Sequence, residues 1–224
     1  MKFNSLYLNK LISEYFPGKE NFDKEDLDSF ETIRIEELID FSELSSLCNL
    51  QTLQIFNCNL NLLSLKEISG LKSLKEIYFI NCEVVGLSLL EELSLDTLFM
   101  DNCVITDIEG IDALSIKHLF LDNIEKVDLD QISIIRVLES LSLINTTVLN
   151  EDKMIYMDKI INLNLYGTSI KSIDTLIGNE TLKTLVIDED IYNNNKEVVR
   201  VLKDRGISVV NEMNQDVESA YEDR

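Results

Sequence analysis

Among side chains able to do chemistry, this sequence offers four cysteines, one histidine and a large surplus of carboxylates over amines. A zinc centre needs thiolates or imidazoles that converge tetrahedrally, usually from close pairs such as C-x-x-C. Cys48, Cys58, Cys82 and Cys103 are never paired in that way. Four cysteines in 224 residues also fall short of a disulfide framework, so they read as free thiols in a reducing compartment. Acyl transfer or metal-assisted hydrolysis would call for motifs such as G-x-S-x-G or H-E-x-x-H, and phosphate chemistry for a P-loop; none occurs. The expectation is a protein with no enzymatic activity, no cofactor and no metal. Acidic pairs such as Glu36–Glu37 and Glu91–Glu92 read as solvated faces.

The elements that position these residues come from an internal repeat. The template L-x-x-L-x-L-x-x-N/C-x-L is filled by Leu50, Leu53, Ile55, Cys58 and Leu60. It is filled again by Leu74, Ile77, Phe79, Cys82 and Val84, and by Leu95, Leu98, Met100, Cys103 and Ile105. Weaker or variant copies begin at Phe30, Ile116, Leu138, Ile160 and Leu182, with spacings of 20, 24, 21, 21, 22, 22 and 22 residues. Alternation across L-x-L sends two apolar side chains to one face and the residue between them to the other. One unit cannot bury that face alone, so neighbouring units must stack and supply the core, as a parallel sheet. Apolar steps of three after the strand, as in Ile105, Ile108, Ile111 and Leu114, suit 3₁₀ or short helical turns on the return path.

On these residues the sequence resembles the leucine-rich-repeat family, most closely the 22-residue class of bacterial internalins and of a regulatory subunit of protein phosphatase 1. The resemblance implies an α/β solenoid, a right-handed arc with a parallel β-sheet on its concave face and short 3₁₀ or helical convex segments. It is specific for fold and not for function, because members share a scaffold and little chemistry. Eight repeats are expected over residues 30–192, behind an N-terminal cap over residues 1–29. Leu6, Leu8, Leu11, Ile12, Tyr15 and Phe16 there fit an amphipathic helix stopped by Pro17 and Gly18. A C-terminal cap over residues 193–210 should comprise a helix capped by Asn195, ended by Gly206, and a short strand over Ile207–Val210. Residues 211–224 read as a frayed acidic tail.

The repeat also sorts the remaining candidates into columns. The third position holds His118 between Thr97 and Ser140, which invites a nucleophile–base pair. The nearest carboxylate in that column, Glu76, would lie two strands away, about 9–10 Å, too far to orient an imidazole. The fifth position holds Tyr78, Phe99 and Phe120 in succession, and the seventh holds Phe56, Ile80, Asp101, Asp122, Ile144 and Tyr166. These nine side chains form the expected partner site: large aromatics exposed together mark interaction surfaces, and the two aspartates could meet basic groups. The alternative is that they only stabilise the sheet by cross-strand packing. Asn57, Asn81, Asn102, Asn123 and Asn145 fill the eighth position, where Asn suits left-handed turn geometry. Cys58, Cys82 and Cys103 fill the ninth, which turns inward.

A formal charge of −21, from 20 basic and 41 acidic residues, argues against nucleic-acid and anionic-membrane partners and would steer a basic protein. Met1–Lys10 lack the pattern of a secretory signal, and no apolar run is long enough to span a bilayer, so a cytoplasmic location is expected. The Ile-, Asn-, Lys- and Glu-rich composition hints at a bacterial source. The function read from the sequence is a protein-binding module using the concave face. Two alternatives stay open: an inhibitor or immunity protein that neutralises a basic toxin or nuclease, and a structural scaffold or self-assembling subunit.

Overall fold

The computed structural model of the chain describes residues 6–19, 21–37 and 40–221, with Leu6 and Tyr7 described by backbone alone. Part of the expected N-terminal cap (Met1–Ser5), the packing of Leu6 and the end of the tail (222–224) therefore lie outside the described residues. The chain divides into two compact units, Met1–Leu114 and Ser115–Arg224.

In the first unit, helix α1 (Leu6–Tyr15) buries Leu8 and Ile12 but leaves Tyr15 exposed. Tyr15 and Phe16 meet Phe30 edge-on, at 5.0 and 5.7 Å between centroids, joining this cap to the first repeat. Helix α2 (Lys24–Asp28) follows a reciprocal capping box between Asp23 and Asp26. Strands β1 (Thr32–Glu36), β2 (Thr52–Phe56), β3 (Glu76–Ile80) and β4 (Thr97–Asp101) then pair parallel and in register. Leu53, Ile77 and Leu98 align across the sheet, as do Ile55, Phe79 and Met100, all without solvent exposure. This is the alternation that L-x-L predicts.

The second unit contains β5 (His118–Asp122), β6 (Ser140–Ser142), β7 (Asn162–Asn164), β8 (Thr184–Val186) and β9 (Ser208–Val210). Again each pairs parallel with the next in chain order. Strand β9 is the closing strand expected at the C-terminal cap.

Return segments follow repeat length. The 24-residue step holds a full helix, α3 (Leu62–Ser69), whose first amides bond to the Asn61 carboxamide. Shorter steps close through 3₁₀ turns such as Ser88–Leu90 and Ile111–Ala113, while α4 (Leu129–Ile132) is a single α-turn. Of the apolar steps in the return after β4, Ile111 and Leu114 are fully buried and Ile105 and Ile108 half-buried. Stacked strand–turn–return units of this kind are a leucine-rich-repeat solenoid.

The C-terminal end departs from expectation in two ways. Helices α5 (Glu189–Asn194) and α6 (Lys196–Asp204) form, and Gly206 (φ +85°) leads out of α6 into β9. Asn195, however, does not cap α6 with its side chain. Its carboxamide turns back onto the previous repeat, donating to Lys171 O at 3.0 Å and accepting from Ile173 N at 3.1 Å. Nor is the acidic tail frayed over its described length. Asp216 bridges to Val210, and helix α7 (Val217–Tyr221) buries Val217 completely. Tyr221 packs on Tyr192 at 5.7 Å, and Lys203 draws in Asp216 (2.8 Å) and Glu218 (2.5 Å). One valine and one tyrosine suffice to anchor an otherwise polar segment.

Candidate functional site

The turn out of each strand sets which side chains the sheet displays. The eighth residue of five successive repeats takes a left-handed backbone: Asn57, Asn81, Asn102, Asn123 and Asn145 have φ between 50° and 54°. Asn tolerates that region best among side-chain-bearing residues, so the column is turn chemistry. The carboxamides also bond to one another along the edge. Asn81 donates to Asn57 and Asn102 to Asn81 (3.2 and 2.7 Å) in the first unit, and Asn145 donates to Asn123 (3.0 Å) in the second. In the next repeat the position is Gly167 (φ +69°), where a Cβ would sit 2.2 Å from Asn145 Oδ1.

Behind the turn, the ninth column is buried and serves the backbone. Cys103 Sγ bonds to Phe79 O (3.3 Å) and accepts Cys82 N–H (3.4 Å). Thr146, at the same position two repeats later, donates to Leu121 O (2.9 Å) and accepts Ile124 N–H (3.2 Å). Thiol and hydroxyl thus do one job, bridging a carbonyl and an amide that leave the strand ladder. The adjacent Cys82 sulfur and burial push the Cys103 thiol up from its ordinary value, so it stays protonated at neutral pH. Cys58, Cys82 and Cys103 are buried free thiols, and Cys48 is exposed.

On the strand face of the first unit, Tyr78 on β3 lies directly beside Phe99 on β4, with ring centroids 5.7 Å apart and planes 37° apart. Both are half-buried, as are Phe56, Ile80 and Asp101 around them. The Tyr78 hydroxyl reaches Glu76 (3.2 Å), and burial together with that carboxylate raises its pKa. Arg34 lies over the Phe56 ring at 4.2 Å while pairing with Glu36. Sequence reasoning grouped the aromatics but missed the Arg34–Phe56 stack; Arg34 stands in the fifth column, diagonal to Phe56 in the seventh.

In the second unit, Phe120 on β5 and Ile144 after β6 are half-buried and border a hollow of about 450 Å³. Its floor is made of short side chains, among them Ser140, Ser142, Asn162 and Asn164. One of the expected partner residues here serves another end. Asp122 is not exposed: it is 7% accessible, accepting Ser142 Oγ at 2.6 Å and Ile144 N–H at 2.9 Å. Its carboxylate takes an amide that would otherwise continue the ladder, so β6 stops at Ser142. Tyr166 is half-buried and faces the C-terminal segment. Burial, then the Glu212 and Asp188 carboxylates, raise its pKa. His118 pairs in register with Ser140, the neighbour expected, with a half-buried side chain.

No family model matches the sequence, and no curated protein matches it. Solved structures do. An internalin (inlF) of Listeria monocytogenes superposes with a TM-score of 0.69 at 17% identity, over 93% of this chain and 68% of that one. An internalin C2 of the same species gives 0.64 at 19% identity, over 93% of both chains. A leucine-rich-repeat protein of Leptospira interrogans gives 0.53 at 17% identity, over 84% of this chain and 56% of its own. At these identities the likeness shows a shared leucine-rich-repeat fold. No described helix is long and apolar enough to cross a membrane.

Proposed function

We propose that this chain is a protein-binding module whose partner docks on the strand face. The observation that carries the reading is the half-exposed Tyr78–Phe99 pair, set among Phe56, Ile80 and Asp101 on a rigid sheet. Aromatics held on neighbouring strands keep little conformational freedom to lose, and their remaining apolar surface gains by being covered. In the second unit, the hollow bordered by Phe120 and Ile144 offers room for a partner's side chain. The charge of −21 favours a basic partner, which includes the narrower role of neutralising a basic toxin or nuclease.

The test is capture of a partner from the source cells on the immobilised chain. Tyr78→Ala with Phe99→Ala should weaken capture by roughly 30-fold or more, the loss expected when one anchor worth about 2 kcal/mol is removed. Phe120→Ala, tested separately, should also weaken it. Undiminished capture by the Tyr78/Phe99 variant would sink the strand-face reading. A chain that retains only copies of itself would favour the scaffold role instead.

A further inference from the structure

A second surface, away from the strand-face side chains, runs along the N-terminal ends of strands β5 to β8 in the second unit. The residues just before these strands are Lys117, Glu139, Ile161 and Lys183, each handing its carbonyl to the amide of the next repeat (2.7–2.8 Å). They therefore stack about 4.8 Å apart. Arg136, Val137, Lys159 and Thr181 enter from the preceding turns and complete a groove of about 620 Å³.

Its charge is out of keeping with the rest of the molecule. Carboxylates outnumber basic side chains two to one in this chain, and several cations elsewhere in the unit pair with them. Lys153 pairs with Asp130 (3.1 Å), Arg200 with Glu197 (2.7 Å), and Lys203 with Asp216 and Glu218. Arg136, Lys159 and Lys183 make no ion pair or side-chain hydrogen bond with any described residue, although all three line this one groove. The groove also presents two apolar side chains: Val137, 44% exposed, and the half-buried Ile161.

We infer that this groove binds an extended acidic peptide segment of a partner protein, with carboxylates on Arg136, Lys159 and Lys183 and aliphatic side chains on Val137 and Ile161. The lining itself discriminates among anions. Glu139 and Glu180 line the groove together with the cations, so a densely charged strand of phosphates would be repelled where singly spaced carboxylates are not. The overall charge of −21 opposes a long polyanion in the same sense. The inference does not rest on the strand-face reading, since none of the lining residues belongs to that face.

Fluorescence anisotropy with labelled short peptides tests it on the full chain. A peptide alternating glutamate with valine should bind, whereas any binding of its lysine–valine counterpart, which the overall charge attracts, should not be weakened by Lys159→Gln with Lys183→Gln. Lys159→Gln with Lys183→Gln should weaken binding of the glutamate peptide roughly tenfold, as should added salt, because the contacts are charge pairs at a solvent-facing rim. Tyr78→Ala with Phe99→Ala should bind the peptide like wild type, which separates this site from the strand face. If the lysine double variant melts early, Val137→Ser carries the test in its place. Absence of peptide binding, or binding unchanged by these variants, would overturn the inference. So would tighter binding of a single-stranded oligonucleotide of similar length. Concentration-dependent self-association lost in the lysine variant would assign the groove to a second copy of this chain and equally overturn it.

Discussion

Cys103 and Thr146 occupy equivalent places in different repeats and make the same two bonds, one to a strand carbonyl and one from a turn amide. The template shows only that a small polar or sulfur-bearing residue belongs there; the structure gives the reason. Cys103→Ala should destabilise the chain by about 1–3 kcal/mol, because the Cys82 amide then stays buried without an acceptor. Cys103→Thr should retain most of the stability, with Thr146 as the internal precedent. Urea denaturation of both variants checks the pair, and equal losses would count against the bridging role. Gly167 belongs to the same scale. Gly167→Ala combines a left-handed backbone with a methyl driven into Asn145, so it should destabilise where most surface substitutions are neutral.

At the scale of elements, burial and display alternate along each strand, so stability and recognition should respond to neighbouring residues. Leu98→Ala, at a fully buried position of β4, should lower stability by about 2–5 kcal/mol, whereas Phe99→Ala beside it should cost less in folding. Thermal unfolding of the two variants compares them directly. That alternation was legible in the sequence because a period of two assigns faces without knowledge of anything distant. Asp122 marks where such reasoning stops. Its column places it correctly on the strand face, but only the adjacent Ser142 hydroxyl and Ile144 amide explain why it is buried there. The C-terminal segment escaped for a similar reason: composition averages over residues 211–224 hide single anchors such as Val217 and Tyr221. Its ion pairs make its stability depend on pH. Against the cost of burial, Lys203 and nearby amides hold the Asp216 carboxyl below the ordinary aspartate value. A depressed carboxylate contributes stability that is present above its unfolded value, near pH 3.9, and is lost as pH falls through the folded one. Amide protection over Val217–Tyr221, taken relative to intrinsic exchange at each pH, should therefore fall below about pH 4 before that of the central strands. Uniform loss of protection would show that the segment is not a separate acid-sensitive element.

For the whole molecule the dominant electrostatic fact is the excess of 41 acidic over 20 basic residues. Like charges confined to a folded chain repel more than in the expanded unfolded one, so the field works against folding while it favours solubility and attracts basic partners. The ion pairs that oppose it lie mostly at the surface, as with Lys72–Glu92 and Arg200–Glu197. Such exposed pairs contribute at most about 1 kcal/mol each and are themselves weakened by salt. Repulsion among many carboxylates is long-ranged, whereas these few attractions are short-ranged. Raising ionic strength shrinks the screening length from about 30 Å at 0.01 M to about 8 Å at 0.15 M, removing the long-range part first. The Tm should therefore rise with sodium chloride at pH 7, by about 2–4 °C for each kcal/mol of repulsion relieved. Potassium chloride should act alike, since screening does not depend on the identity of the monovalent ion. Near the isoelectric point, pH 4.3, the net charge vanishes and the salt effect should largely disappear. Calorimetric scans across both salts and both pH values decide the matter. A Tm that falls with salt at pH 7 would show that local ion pairs, such as those joining Lys203 to Asp216 and Glu218, outweigh the general repulsion.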